Sequence, residues 1–102
     1  MILTKLIESL EYEWSLENGF LGLLRAGEFS NNGLARLLGV LDTIDLDDQK
    51  IIDRRLVSLL WYMPIFMDWQ RERLEENGVD LVKLDSAITE IDNRLEGILG
   101  IP

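Results

Sequence analysis

Between Ile51 and Leu74 the chain carries its heaviest apolar load, and any fold must bury much of it. The run Leu56–Met67 holds 12 residues without a charge, and Trp61, Tyr62, Phe66 and Trp69 lie in or beside it. A membrane-spanning helix needs about 20 such residues, so this stretch reads as the core of a water-facing domain. Its aromatic residues are expected to be core rather than a ligand platform. Pro64 interrupts the run. It removes the hydrogen bond to the Leu60 carbonyl and disfavours helical geometry at Met63. Two outcomes compete, a kink or a fresh helix starting at Pro64. A fresh start would make Met63 the N-cap, and Met has no side-chain acceptor suited to capping. The expectation is one Pro-kinked central helix. It would start at an Asp47 cap, with Leu46 and Ile51 as a hydrophobic staple, and end at Asn77-Gly78.

The other segments read as helices packed around this one. Leu3, Leu6, Ile7, Leu10 and Trp14 fall at helical spacing, which predicts an amphipathic helix over 2–16. Asn18-Gly19 ends it. Phe20 to Ala26 can form a short second helix closed by Gly27. Ser30 is a good N-cap for a third helix to about Asp42, with Phe29 and Leu34 at staple positions and Leu34, Leu37, Leu38 and Leu41 as its stripe. Asp80 caps the last helix, and Leu81, Leu84, Ile88, Ile91, Leu95 and Ile98 step by 3 and 4 in a heptad seam. Fewer than three heptads suit packing inside a bundle better than a long coiled coil. No strand pattern, repeat or long linker is visible. The predicted fold is all-α, a compact antiparallel bundle of about five helices in a single domain over 1–102.

Composition removes several chemistries. The chain has no Cys and no His, so it offers no disulfide, no thiolate metal site, no Cys nucleophile and no imidazole base or zinc ligand. Carboxylates, Lys or Tyr could still support catalysis, but the expectation is a non-enzyme with no cofactor or metal. Nineteen acidic and 10 basic residues give a net charge of −9. Such a surface repels nucleic acid and anionic lipid and attracts basic protein surfaces, or it serves solubility alone. Near the N-terminus Lys5 is followed by Glu8, Glu11 and Glu13 before any long apolar run. That is not a signal peptide, and a cytoplasmic, soluble protein is expected.

Acidic clusters are the candidate sites. Asp42, Asp45, Asp47 and Asp48 crowd the connector before the central helix. No register there supplies EF-hand ligands with Gly and Glu in place. A flexible connector also offers no apolar environment that would split the pKa values of a catalytic pair. Asp47 and Asp48 suit a helix start, where acids complement the dipole by about 0.3–1 kcal/mol. That explains Asp42 and Asp45 less well, so the connector is also a candidate contact surface. Glu72, Glu75 and Glu76 occupy the last turns of the central helix, where negative charge opposes the dipole, and Asp80 follows. This is the second candidate surface. Glu8, Glu11, Glu13 and Glu17 read as a solvated face. Asp53 and Asp68 have Arg25, Arg54, Arg55 and Arg71 as candidate partners. Gly19, Gly22 and Gly27 do not form a phosphate loop, because no strand precedes them and no Lys-Ser/Thr ending follows.

The stretch from Glu17 to Phe29 (Glu-Asn-Gly-Phe-Leu-Gly-Leu-Leu-Arg-Ala-Gly-Glu-Phe) resembles small bacterial immunity proteins encoded beside polymorphic or contact-dependent inhibition toxins. So do Arg54 to Pro64 and Met67-Asp68-Trp69-Gln70. The resemblance covers about a third of the chain. It implies a cytoplasmic protein that binds one cognate toxin domain, often a nuclease, and blocks it. It transfers no functional residue. The expected function is therefore neutralisation of a basic toxin domain by occlusion and charge complementarity, through Asp42, Asp45, Asp47 and Asp48 or through Glu72, Glu75, Glu76 and Asp80. The alternative is a regulatory or scaffolding module that self-associates through its C-terminal helix.

Overall fold

Helix α1 (Leu3–Trp14) turns Leu6 and Leu10 into the core, as its stripe predicts. The computed structural model describes residues 2–46 and 49–102, and these are all-helical, with no strand among them. After α1 come α2 (Phe20–Arg25) and α3 (Asn31–Asp42), both packed on α1. The Ser30 side chain accepts a hydrogen bond from the Gly33 amide at 3.0 Å, as expected of the α3 cap. Phe29 meets Phe20 edge-on, with ring centroids 5.4 Å apart.

Where one kinked central helix was expected, the described residues form α4 (Arg54–Trp61), α5 (Met63–Trp69) and α6 (Arg71–Glu76). Single residues separate them. Tyr62 (φ −81°, ψ −15°) and Gln70 (φ −88°, ψ 0°) keep right-handed helical angles, so the three helices follow one another without a loop. Pro64 lies in the first turn of α5, where a missing N–H costs nothing. The boundary residue is thus Tyr62 rather than Met63, and α5 starts without any side-chain cap. Trp14 supports the break, because its Nε1–H donates to the Leu59 carbonyl at 3.0 Å, near the end of α4. The start of the region also differs. The cap on α4 is Asp53, whose carboxylate accepts from the Leu56 amide at 3.1 Å. Ile51 is exposed, so the Leu46–Ile51 staple does not form. The Asp47 cap lies outside the described residues.

Helix α7 (Leu81–Leu99) starts on Asp80, whose Oδ1 accepts from the Val82 amide at 2.9 Å. It packs on α3, α5 and α6. Leu84, Ile91 and Leu95 of its seam are buried, Ala87 joins them, and Leu81, Ile88 and Ile98 pack against the core. The buried half of the seam is therefore used inside the molecule. The radius of gyration is 13.6 Å, close to the roughly 13 Å of a 100-residue domain.

One acidic residue departs from the expected solvated face. Glu13 is buried. Its Oε1 accepts from the Phe20 amide at 3.1 Å and from Arg36 Nη2 at 2.9 Å, and its Oε2 accepts from Arg36 Nε at 2.7 Å. The bond to Glu13 holds the Arg36 guanidinium pKa above its ordinary value, so Arg36 keeps its charge at every accessible pH. A carboxylate on α1 thereby caps α2 and is neutralised by α3.

Candidate functional site

The apolar central stretch divides between two faces. Met63, Phe66 and Met67 point into the core, while Trp61, Ile65 and Trp69 are exposed, the last by 67%. The expectation that both Trp residues belong to the core is overturned. Residues at 63, 66 and 67 and residues at 61, 65 and 69 each form a helical stripe. A helix apolar on both stripes reads as wholly buried, yet only one is buried. Tyr62, half-buried, joins the exposed rings. Its centroid lies 5.3 Å from Trp61 and 5.8 Å from Trp69. On its inner side it stacks on Trp14 at 6.3 Å.

Trp69 stands between two shallow grooves. The first, about 610 Å³, runs along α6 and is lined by Asp68, Arg71, Glu72, Glu75 and Glu76. The second, about 550 Å³, runs between α5 and α7 and includes Ile65, Arg71, Asp85, Ile88 and Asp92. Across both, six carboxylates (Asp68, Glu72, Glu75, Glu76, Asp85, Asp92) face one cation, Arg71. Arg71 bonds Asp85 at 2.7 Å and Asp68 at 2.9 Å. These bonds, Asp85 first, hold its pKa above the ordinary arginine value, so it is a permanent cation. Among the described residues, no ion pair engages Glu72, Glu75 or Glu76. Such carboxylates, exposed beside Trp69, can attract and pair with cations.

The other candidate acids are placed differently. Asp80 is occupied as the α7 cap. Asp42, at the end of α3, pairs with Arg94 of α7 at 2.8 Å, and Arg94 also pairs with Glu90 at 2.7 Å. These two bonds, Glu90 first, raise the Arg94 pKa. Asp45 is exposed on the rim of a cavity of about 300 Å³ that includes Leu3, Leu6, Ile44 and Leu56. Asp47 and Asp48 lie outside the described residues. Asp68, the other acid given an arginine partner, does pair with Arg71. Among the described residues, no group of three or more carboxylates could hold a metal ion, and no helix is long and apolar enough to cross a membrane.

The Asp42–Arg94 pair is exposed on the Asp42 side, so its contribution should be small. Asp42→Asn is expected to change unfolding stability by less than about 1 kcal/mol in urea titrations. A loss above about 2 kcal/mol would show that the pair ties α3 to α7 far more strongly than a surface bridge does.

Fold and corner together define an all-helical domain that displays exposed aromatic rings in an acidic frame. Comparison with protein-family models, with curated proteins and with solved structures finds no match to the chain.

Proposed function

We propose that this chain is a non-catalytic binding protein that neutralises a basic bacterial toxin domain by covering its functional surface, in the manner of an immunity protein in the cytoplasm. The observation that carries the reading is the α5–α6–α7 corner, where Trp69 stands between grooves lined by six carboxylates and one Arg. Rim carboxylates accelerate encounter with a cationic surface and penalise wrong partners. Exposed Trp supplies contact area of the kind that dominates interface energetics. Glu72, Glu75 and Glu76 are the preferred contact residues. Asp42 is held by Arg94, and Asp80 by its own helix.

The test is co-expression with the protein encoded immediately upstream. The wild-type chain should restore growth and co-purify with that protein. The triple reversal Glu72→Lys, Glu75→Lys, Glu76→Lys should weaken binding about 10- to 100-fold at low salt, and its remaining affinity should depend less on salt. Full protection by the triple variant would move the contact surface elsewhere. Failure of the wild type to bind or protect would remove the immunity reading for that pair.

A further inference from the structure

Trp61 and Trp69 are exposed but tied into an aromatic cluster. Each touches the Tyr62 ring, Tyr62 stacks on Trp14, and Trp14 is fixed by its hydrogen bond to the Leu59 carbonyl. Phe66 meets Trp14 edge-on at 5.0 Å and closes the aromatic cluster on its buried side. The exposed rings are therefore set in position before any partner arrives, which spares the ordering cost of binding. The Tyr62 ring links them, with its centroid 5.3 Å from Trp61 at the end of α4 and 5.8 Å from Trp69 at the end of α5. Ile65 lies between them, also exposed.

We infer that Trp61, Ile65 and Trp69 form the docking ridge for a basic amphipathic helix of the partner protein. Its apolar side lies along the end of α4 and α5, and its Lys and Arg side chains reach the carboxylates of the two grooves beside Trp69. The inference rests on the reading above that this corner is the contact surface. It adds which residues supply affinity and what shape of partner they accept. Charge complementarity selects the occupant. A second copy of this chain would bring the same acidic frame, within a net charge of −9, against itself. Anionic lipid and nucleic acid meet the same repulsion. A cationic helix instead gains twice, by pairing with Glu72, Glu75 and Asp92 and by placing a guanidinium or ammonium over the Trp69 ring. An amphipathic helix recognised through apolar anchors spaced along one face suits this row of exposed side chains.

Two synthetic 18-residue peptides of Leu and Arg, identical in composition, test this. One places Leu on a single helical face, and the other scrambles the order. Binding is followed by calorimetry and by tryptophan fluorescence. The amphipathic peptide should bind at least tenfold more tightly than the scrambled one and shift the emission to the blue. Trp61→Ala and Trp69→Ala should each lower its affinity at least tenfold, with circular dichroism confirming an intact fold. The triple Lys reversal should weaken both peptides. Equal binding of the two peptides, or no effect of either Trp substitution, overturns the ridge while leaving an acidic contact surface standing. A Trp effect without a charge effect overturns the basic-partner reading instead. Absence of binding by both peptides overturns the inference. So does a dimer in sedimentation that Trp69→Arg disperses, since it makes a second copy the occupant.

Discussion

Replacing Gly22 with alanine should lower stability by about 3 kcal/mol or more, although alanine is the better helix former by about 1 kcal/mol. Gly22 lies inside α2, and there the helix meets the end of α1 backbone to backbone. A Cβ at this position would overlap the Ser15 carbonyl oxygen and lie 2.8 Å from the Leu16 Cα. Neither neighbour is the end of a flexible side chain. Relief would require α2 to move away from the chain that ends α1. That would disturb Phe20, Leu21 and Leu24, all fully buried. Gly39 of α3 is the internal control, because a Cβ there meets nothing within 4 Å. Gly39→Ala should stabilise by about 0.5–1 kcal/mol. Thermal or urea unfolding of the two variants should therefore move in opposite directions, with Gly22→Ala lowering Tm by more than about 10 °C. If Gly22→Ala unfolds within about 0.5 kcal/mol of wild type, the close approach of α2 to the end of α1 is not a real constraint.

What was legible in the sequence was what local chemistry decides. Ser30 and Asp80 cap because each sits one residue before a helix with a free amide within reach. Gly27, at φ 87°, ends α2 with the Glu28 amide bonded back to the Leu23 carbonyl at 2.9 Å, as a C-terminal glycine should. The α7 seam was readable from its 3-and-4 steps, except that Ala87 also faces inward. Tertiary context decided the rest. Gln70 carries no breaker chemistry, so nothing local announced the boundary between α5 and α6. Trp61 and Trp69 looked like core because hydrophobicity records a side chain and not whether a neighbour covers it. The second candidate surface was half visible. Glu72, Glu75 and Glu76 stood out against the helix dipole, but Asp85 and Asp92 come from α7 and join them only through the fold. Glu13 was hidden for the same reason, since its partner Arg36 is 23 residues away and nothing in α1 marks one of its three glutamates out from the others.

Arg36→Met should cost about 3 kcal/mol, well above the range of an ordinary surface pair. The two ends of this bridge are unequal, with side-chain exposure of 42% for Arg36 and 1% for Glu13. Removing the arginine leaves a buried carboxylate without its cation. Removing the carboxylate leaves a guanidinium that can turn to water. Glu13→Gln should therefore cost less, about 1 kcal/mol, because the amide oxygen can still accept from the Phe20 N–H. The double variant should be more stable than Arg36→Met alone, since a buried neutral amide is cheaper than a buried unpaired charge. Arg55→Met is the control. Arg55 and Glu11 pair at a similar 2.8 Å, but both are about half exposed. That substitution should cost less than about 1 kcal/mol, and the pair should weaken further in salt, whereas the Glu13 pair should be little screened. Urea midpoints for the four variants at low and high salt decide the matter, and an Arg36→Met loss no larger than that of Arg55→Met would sink the idea. The consequence reaches the aromatic corner. Glu13 and Trp14 are neighbours in the last turn of α1. One fixes α2 and α3, and the other holds the Leu59 carbonyl and stacks on Tyr62. Loosening that turn by Arg36→Met should therefore release Trp14 and, through Tyr62, the exposed rings of Trp61 and Trp69.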